Sequence, residues 1–263
     1  MKVVILAGGF GSRISEESHL RPKPMIEIGG RPILWHIMKC YAHYGFNDFV
    51  ICAGYRQDVI KEYFSDFFLH SSDVTFDYRG GSLDMEVHNT TVEPWRVTVA
   101  DTGYSTNTAG RILRVKRYVG DETFLLTYGD GVSDIDPNDV LATHRRMNTT
   151  VTITGVTMAQ RFGVLGIDGT GRIRSFREKR DDDAALINGG FMACEPSVFD
   201  AIEQAGTNPM VEDFSSVTLP WLAQRGELGC HRYDGFWFCM DTQRDRNQLE
   251  SMWGQGEAPW KVW

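Results

Sequence analysis

Residues Leu6 to Arg13 read Leu-Ala-Gly-Gly-Phe-Gly-Ser-Arg; they follow an apolar run that begins at Val3, and a Lys-Pro pair comes later at Lys23. This order places three glycines, an arginine and a lysine on the loop after a strand, the usual ligand-binding edge of an open α/β sheet. Because glycine has no side chain, backbone N–H groups of the loop can approach phosphate oxygens, while Arg13 and Lys23 supply positive charge. The stretch predicts an anion site suited to a triphosphate.

Two better known glycine loops do not fit this stretch. The dinucleotide fingerprint needs a third glycine where this chain has Ile14, and a P-loop needs a Gly-Lys-Ser/Thr sequence that is absent. A plain strand-to-loop turn is the structural alternative. Arg13 and Lys23 favour the phosphate site over that turn.

The composition is that of a globular protein with a substantial core. The chain has 263 residues, 42% of them hydrophobic, and a formal net charge of -8. We expect one main domain over residues 1–263. Because the negative charge repels polyphosphate polymers and anionic lipid, we expect no nucleic-acid partner and no membrane partner. No apolar stretch has membrane-spanning length and no signal peptide is recognisable, so we expect a cytoplasmic protein.

The cysteines and histidines give no metal pattern. The five cysteines are odd in number, widely spaced and mostly within apolar segments, which predicts buried free thiols. The seven histidines show neither metalloprotease spacing nor a cysteine-histidine zinc pattern. We therefore assign no metal to the histidines.

Short apolar strands alternate with helical patterns through residue 145, which indicates an α/β fold of βαβ units on a mostly parallel sheet. Apolar residues recur at helical spacing from Ile33 to Tyr41, and Gly45 closes that pattern. The predicted strands are 2–6, 48–53, 97–101 and 123–128, and the further predicted helices are 56–68, 107–118 and 137–147.

The pattern changes after residue 148, where segments rich in Thr, Val and Ile indicate a β-rich insertion. The sequence Asp-Gly-Thr-Gly at 168–171 predicts a hairpin turn within it. The predicted strands of the insertion are 149–158, 162–167 and 172–178; helices near 196–204 and 213–225, strands near 228–238 and a charged helix near 242–253 follow.

The carboxyl-terminal tail carries Trp253, Trp260 and Trp263. Because large apolar groups gain free energy on leaving water, we expect this tail to pack rather than stay exposed. It packs either across a subunit contact or back on its own domain. A homo-oligomer is expected on the first arrangement.

Two aspartates follow apolar strands and are candidate metal ligands. Asp130 lies between two glycines directly after the strand at 123–128, and Asp241 ends the aromatic run that begins at Gly235. Carboxylates at the carboxyl edge of a sheet suit a hard divalent ion such as Mg²⁺. An ordinary turn at Asp130 and a helix N-cap at Asp241 are the alternatives.

A second set of polar residues suits a sugar phosphate. Glu178 and Lys179 end a predicted strand, and Asn188 and Gly189 follow after a short connection. A sugar phosphate needs a cation for its phosphate, carboxylate or amide groups for its hydroxyls, and glycine where the ring meets the backbone. A solvated ion pair and a glycine turn are the alternatives when each pair is taken alone.

Nearly the whole chain resembles the sugar-1-phosphate nucleotidylyltransferases. The resemblance rests on Leu6 to Arg13, Lys23-Pro24, Tyr128 to Gly131, Phe176 to Lys179 and Asn188 to Phe191. Within that superfamily, the run Lys23 to Met38 is similar to the glucose-1-phosphate cytidylyltransferases, as are Val92 to Trp95, Asp101 to Gly103, Gly235 to Trp237 and Met240 to Thr242.

The resemblance implies a Rossmann-like core with a mixed, mostly parallel sheet flanked by helices, a β-rich sugar-binding insertion and a C-terminal helical tail. Residues 1–148 then form the nucleotide-binding half, 149–241 the sugar-phosphate-binding half, and 242–263 the C-terminal helix and tail. The implied substrates are CTP and glucose 1-phosphate, with Mg²⁺ as cofactor, and the implied products are CDP-glucose and pyrophosphate. Such a product usually feeds deoxy-sugar synthesis for bacterial surface polysaccharide.

The resemblance also implies residue roles. Arg13, Lys23 and Asp130 take catalytic roles, Lys23 lies near the α-phosphate, and Asp130 with Asp241 binds the metal. Arg111 contacts the base. The implied nucleotide-binding residues are Leu6, Ala7, Gly8, Gly9, Gly11, Ser12, Arg13, Lys23, Thr106, Arg111 and Gly129, and the implied sugar-phosphate-binding residues are Glu178, Lys179, Asn188 and Gly189.

Two positions depart from the family pattern. Relatives commonly have threonine where this chain has Ser12, a change that keeps the hydroxyl, and proline where it has Arg180, which leaves the backbone after Lys179 less constrained. Three alternatives stay open: the same chemistry with UTP or dTTP, a glycosyltransferase that uses a nucleotide sugar, and a non-catalytic binding module. A glycosyltransferase would leave the glycine loop and Lys23 without a task.

Overall fold

The computed structural model of the chain describes residues 1–11, 21–159, 164–169, 171–177 and 184–263. The predictions for Ser12, Arg13, Glu178 and Lys179 lie outside these described residues. The strands are β1 (Val3–Leu6), β2 (Glu27–Ile28), β3 (Arg31–Pro32), β4 (Asp48–Ala53), β5 (Ser72–Asp77), β6 (Asp84–Thr90), β7 (Arg96–Asp101), β8 (Phe124–Tyr128), β9 (Gly131–Ser133), β10 (Val151–Ala159), β11 (Val164–Ile167), β12 (Ile173–Arg177), β13 (Ala184–Asn188), β14 (Met192–Cys194), β15 (Leu228–Tyr233) and β16 (Trp237–Cys239).

Helices lie between these strands and after them. The α-helices are α1 (Ile33–His43), α2 (Gln57–His70), α3 (Thr108–Arg114), α4 (Lys116–Val119), α5 (Pro137–Met147), α6 (Ser197–Ala205), α7 (Leu219–Gln224) and α8 (Gln243–Gly254). A 3-10 turn spans Lys23–Met25, and a π-helix spans Phe214–Thr218.

Ten of the described strands form one large mixed sheet in the order β12-β11-β13-β10-β14-β8-β1-β4-β7, with β15 beside β10, and the pairs β2–β3, β5–β6 and β9–β16 form separate two-stranded sheets. Strands β8, β1, β4 and β7 are parallel neighbours, whereas β14 joins β8 in an antiparallel pair. These four parallel strands come from the first half of the chain, whereas in the insertion β10 pairs antiparallel with β13 and β14 and parallel with β15. The predicted α/β class with a mixed central sheet is confirmed, and the division at residues 148 and 241 stays a prediction.

Strand β1 shows why the sheet is central. All four of its residues are buried, with Val3 and Ile5 in one apolar core and Val4 and Leu6 in the other. Because successive side chains of a strand point to opposite faces, a continuous apolar run fits a sheet that is covered on both sides. The apolar run that precedes the glycine loop is therefore a central strand of the sheet, buried on both faces.

Two predicted helices differ in detail from the structure. The predicted helix over 107–118 is two helices, because Val115 donates to Ile112 only three residues back and ends α3. The predicted helix over 213–225 begins as the π-helix, and α7 follows with Pro220 in its first turn. Proline lacks the N–H that a continuous α-helix needs at this position.

The hairpin formed by β5 and β6 was not predicted. Among the strands that the structure describes, these two pair with each other alone and form a separate two-stranded sheet. All of β6 is exposed, including its apolar residues Met85 and Val87. The hairpin turn predicted at 168–171 is confirmed by the β11–β12 pair and by the bond from the Gly171 N–H to the Asp168 carbonyl, 2.9 Å.

The tail packs on its own chain. Trp260 is fully buried, and its indole lies against Trp253, Phe236 and His36. Its Nε1–H donates to Nδ1 of His36 at 3.3 Å. The expectation that the tail packs is confirmed, and Trp260 follows the second of the two arrangements considered for it.

The five cysteines are all free, as predicted, and four of them are buried: Cys40, Cys52, Cys194 and Cys230, with Cys239 only partly buried. Within the described ranges, none of the helices combines the length and apolar character needed to cross a lipid bilayer.

Candidate active site

A cavity of about 550 Å³ opens where β1 and β8 end. These strands are parallel neighbours, with Leu6 opposite Tyr128, so the loops that follow them meet at one edge of the sheet. Gly129 donates from its N–H to the Leu6 carbonyl at 3.0 Å and ties the two loops together. The predicted ligand-binding edge is therefore a formed concave site.

Most of the residues predicted to bind nucleotide or metal line this cavity. They are Leu6, Ala7, Gly8, Gly9, Gly11, Lys23, Thr106, Arg111, Gly129, Asp130 and Asp241. Other residues of the lining were not predicted as site residues: Phe10, Pro24, Ser105, Asn107, Thr108, Tyr128 and Val211. Several of these adjoin predicted residues in sequence, and that adjacency was the available signal. Val211 had no such signal in the sequence. Its loop reaches the cavity because it packs against the start of α3, where the Asn107 N–H donates to the Met210 carbonyl at 2.9 Å.

The glycines of the two loops differ in what they require. A Cβ on Gly8 would collide with the Arg111 guanidinium, and a Cβ on Gly129 would lie 2.8 Å from the Leu6 carbonyl oxygen. Gly11 has a φ of 62°, in the left-handed region that favours glycine. Gly9 has open space around it. Close packing against neighbouring groups thus explains Gly8 and Gly129, whereas Gly9 leaves room on the cavity side.

Arg111 is a buried cation held by backbone carbonyls. Its guanidinium donates to Gly8 at 2.8 Å and to Gly103 at 2.9 Å, and also to the Thr102 hydroxyl at 2.8 Å. Burial lowers the pKa of Arg111 from its ordinary value. These contacts fix the carbonyl of the glycine loop, a positioning task that sequence alone did not indicate. The base contact expected of Arg111 stays a prediction.

Lys23 lies between the two predicted metal ligands. Its Nζ donates to Oδ2 of Asp130 at 2.7 Å and to Oδ1 of Asp241 at 2.6 Å. The three side chains are mostly buried, and they come from positions 107 and 218 residues apart along the chain. Burial lowers the pKa of Lys23, but the negative charges beside it, with Asp130 first, outweigh burial and raise it overall.

Strand pairing and a helix cap position Asp241. The Met240 N–H donates to the Asp130 carbonyl at 2.9 Å, which brings the segments that carry the two acids together. Thr242, not Asp241, is the N-cap of α8: its hydroxyl accepts from the Asp245 N–H, and the Asp245 carboxylate accepts from Thr242 and Asp241. The N-cap role considered for Asp241 is therefore wrong, and its carboxylate lines the cavity and accepts from Lys23.

Cys239 is an unpredicted member of this group. One ligand atom each from Asp130, Cys239 and Asp241 lies within 4.8 Å of the other two. Burial, and then the Asp130 charge, raise the pKa of the Cys239 thiol well above its ordinary value. Two carboxylates that already hold a cation, the Lys23 ammonium, are a donor set that fits a hard divalent metal ion.

Asn188 and Gly189 lie beside the cavity rather than in its lining. Gly189 accepts from the Trp237 indole N–H at 2.7 Å, and its own N–H donates to the Thr154 carbonyl at 2.8 Å. Asn188 is a neighbour of Tyr128, which lines the cavity. Burial raises the pKa of the Tyr128 hydroxyl. The loop after β13 is thus anchored next to the cavity, and its contact with a sugar phosphate stays a prediction.

Comparisons with known proteins agree with this site. The family model described as "Nucleotidyl transferase" matches residues 2–242. The chain is 51% identical over 264 residues to a glucose-1-phosphate cytidylyltransferase of Salmonella typhi, covering 100% of both chains. It is 44% identical over 263 residues to a probable glucose-1-phosphate cytidylyltransferase of Bacillus subtilis, again covering 100% of both.

The fold agrees as well. The structure of HddC from Yersinia pseudotuberculosis superposes with a TM-score of 0.75 at 20% identity, covering 96% of this chain and 99% of that one. The resemblance stated from the sequence is confirmed, and the chain belongs to the nucleotidyl transferase family.

Proposed function

We propose that this protein transfers the cytidylyl group of CTP to glucose 1-phosphate in a Mg²⁺-dependent reaction, giving CDP-glucose and pyrophosphate. The observation that carries the proposal is the meeting of Lys23, Asp130 and Asp241 beside the glycine loop of one cavity. The identity of 51% to the Salmonella typhi relative supports the choice of nucleotide and sugar. This enzyme function accounts for both acids and for the lysine.

Asp130 and Asp241 are the residues that would hold the metal. When bound, Mg²⁺ supplies positive charge that offsets the charge of the triphosphate. The carboxylates are hard oxygen donors at the cavity wall, as such an ion requires. Lys23, with its ammonium at the same place, would face the phosphates and stabilise charge on the oxygens that are not transferred.

The reaction needs no protein base. A sugar phosphate has a second pKa of about 6, so at neutral pH it is largely a dianion. Its oxygen attacks the α-phosphorus of CTP, and the bond from that phosphorus to the bridging oxygen breaks as pyrophosphate leaves. The task of the protein is to bring two polyanions together in line, which the glycine loop N–H groups and Lys23 assist. Arg13, outside the described residues, is proposed to share this task.

Asn188 and Gly189, together with Glu178 and Lys179, are proposed to contact the sugar phosphate. The anchored loop after β13 supports this, because it lies next to Tyr128 in the cavity wall. Thr106 and Arg111 are proposed to lie near the base, and their place in the cavity lining supports it.

Pyrophosphate release with glucose 1-phosphate tests the function, measured for CTP, UTP and dTTP, with and without EDTA. We expect release with CTP that EDTA abolishes and added Mg²⁺ restores. A preference for UTP or dTTP would show that CTP is not the nucleotide substrate. Hydrolysis, or sugar transfer without pyrophosphate release, would show that the protein is not a nucleotidylyltransferase.

A cytoplasmic location and a homo-oligomer remain proposals. Trp260 is buried against its own chain, so the tail gives no support for a subunit contact. Light scattering of the purified protein measures the assembly directly, and a mass near 29.8 kDa would contradict the oligomer.

A further inference from the structure

Cys239 places a sulfur among the proposed metal-binding acids. It ends β16 and pairs with Gly131 of β9, the residue after Asp130, and it precedes Asp241 by two residues. Residues two apart on an extended chain point to the same side, which applies to Cys239 and Asp241, and the bond from the Met240 N–H to the Asp130 carbonyl brings the third residue beside them. Ligand atoms of all three lie within 4.8 Å of one another.

The other cysteines have different surroundings. Cys40 donates from its thiol to the Ser133 carbonyl at 3.2 Å, and Cys52, Cys194 and Cys230 are buried in the apolar core. In the part of the chain that the structure describes, the cluster with Asp130 and Asp241 is where a sulfur joins carboxylates at metal-binding spacing. Cys239 therefore differs from them in chemical setting rather than in exposure alone.

Sulfur changes which ions such a cluster prefers. Mg²⁺ takes oxygen ligands and seldom sulfur, so with that ion only the carboxylates are suitable donors. Zn²⁺ and Cd²⁺ bind thiolate well and accept a mixed set of sulfur and carboxylate oxygen. The cluster thus offers a hard ion two ligands, the carboxylates of Asp130 and Asp241, and offers a thiophilic ion a third, the Cys239 sulfur.

We propose that Cys239, Asp130 and Asp241 form a site for a thiophilic divalent cation, Zn²⁺ or Cd²⁺, which displaces Lys23 and stops the nucleotidyl transfer. The proposal rests on the proposed function, since that function gives the two acids and Lys23 their role. On binding, a metal–sulfur bond forms, the S–H bond breaks, and the thiol proton passes to solvent; no oxidant or reductant takes part.

Displacement of Lys23 follows from its contacts. The ammonium occupies both carboxylates, at 2.7 Å and 2.6 Å, so a cation on the same oxygens competes with it. A Mg²⁺ ion competes through those oxygens alone. A thiophilic ion gains the sulfur ligand in addition and is held in preference to both Lys23 and Mg²⁺.

The probe is Cd²⁺ added to the purified protein without nucleotide, and the readout is thiolate-to-metal charge-transfer absorption in the ultraviolet. We expect a band that saturates at one equivalent in the wild type, is lost in Cys239→Ser, and persists in the matched control Cys230→Ser. Equilibrium dialysis is expected to show weaker Cd²⁺ binding by about tenfold or more for Cys239→Ser. Asp241→Asn is expected to weaken Cd²⁺ binding as well.

Turnover separates this inference from the function on which it rests. Cd²⁺ is expected to inhibit Mg²⁺-supported pyrophosphate release by the wild type at concentrations that saturate the band. A wild-type protein with metal-dependent turnover but no band, or a band that survives in Cys239→Ser, overturns the sulfur site and leaves the function standing. Turnover that needs no divalent ion counts against the proposed function instead.

Discussion

Two contacts join the ends of this chain, and their chemistry is opposite. Lys23 meets Asp241 across 218 residues at the cavity wall, and His36 meets Trp260 across 224 residues in the core. The first is a cation between two acids. The second is a neutral imidazole among tryptophans, with both ring nitrogens hydrogen-bonded. Helix α8 follows Asp241 and leads to the tail, so one segment supplies the partners of both contacts.

Only the contact at the cavity wall is available for chemistry. An ion pair at a cavity can exchange one partner for a ligand of like charge, because the desolvated acids still need a cation. The His36–Trp260 hydrogen bond is fully buried among aromatic rings, so no ligand can replace either partner and the contact acts only on stability. Substitutions at the Lys23–Asp241 contact are therefore expected to lower turnover, and substitutions at the His36–Trp260 contact are expected to lower the free energy of unfolding.

The largest effect is expected from Trp260→Ala. This indole is fully buried, and its removal leaves a cavity among Trp253, Phe236 and His36, which costs about 3 to 5 kcal/mol of unfolding free energy. Denaturant unfolding measures the loss. Trp263→Ala, at a partly buried ring, is the control and is expected to cost less. Turnover at low temperature should stay near normal, and a selective loss of turnover would contradict the division between the two contacts.

Lys23→Ala is expected to lower turnover by about 10²- to 10³-fold, the usual effect of removing one preorganised charge at the reacting phosphates. Steady-state kinetics with CTP and glucose 1-phosphate measures it. The exposed Lys61→Ala, on α2, is the matched control and should leave turnover unchanged.

The thermal stability of Lys23→Ala is expected to depend on Mg²⁺. Without the ammonium, Asp130 and Asp241 repel each other, and Mg²⁺ is expected to raise the melting temperature of this variant more than that of the wild type. Equal shifts in both proteins would argue that the ion binds elsewhere.

The His36 contact is expected to fail in acid. Trp260 can only donate, so Nδ1 of His36 must accept and Nε2 must carry the proton that it donates to the Ile28 carbonyl. Burial lowers the pKa of His36 from 6.5 to about 4. The unfolded chain therefore binds this proton first as pH falls. The contribution to stability is complete above pH 6.5 and is lost by pH 4, at most roughly 3 kcal/mol.

Denaturant unfolding between pH 7 and pH 4 measures that loss. His144 is also buried and its pKa is also lowered by burial, so the wild type must be compared with His36→Gln, which lacks the titrating group. The difference between the two proteins should shrink toward pH 4. A difference in unfolding free energy that stays constant from pH 7 to pH 4 would show that His36 does not cause the loss of stability in acid.

The smallest effect is expected from Thr242→Ala, which removes the cap of α8 between the two contacts. A lost N-cap costs about 1 kcal/mol of unfolding free energy. Because Asp245 also accepts from the Asp241 N–H, the variant is expected to weaken Mg²⁺ binding slightly as well. Thr242→Ser keeps the hydroxyl and should restore both properties, whereas no recovery would assign the effect to the lost methyl group.

Much of the site was predictable because parallel strands bring their carboxyl ends to one edge. Asp130 follows from that rule, the aromatic run before Asp241 marked a further strand end, and Leu6 and Gly129 came from the family resemblance. The partners of Lys23 were not predictable from the sequence. An ammonium can pair with phosphate or with carboxylate, and only the three-dimensional structure shows that Asp130 and Asp241 lie within reach of it. Arg111 was predicted for the base, but its contacts with carbonyls depend on how two loops pack.

The parts of the fold that were missed have local causes. The β5–β6 hairpin has short apolar alternation, as at Val74 and Phe76, but no core face, so its pattern did not separate from loop sequence. Cys239 was interpreted as one more free thiol, because spacing along the chain does not show that β9 pairs with β16. Pairings between distant segments decide both cases.

The contact between Lys23 and Asp241 also makes the charged group depend on the folding of distant segments. Its members lie 107 and 218 residues apart along the chain, so no local segment contains both acids and the lysine. A fragment that lacked Asp241 would place one acid beside Lys23 instead of two. The balance of charge in the cavity wall is therefore complete only where segments far apart in sequence have docked.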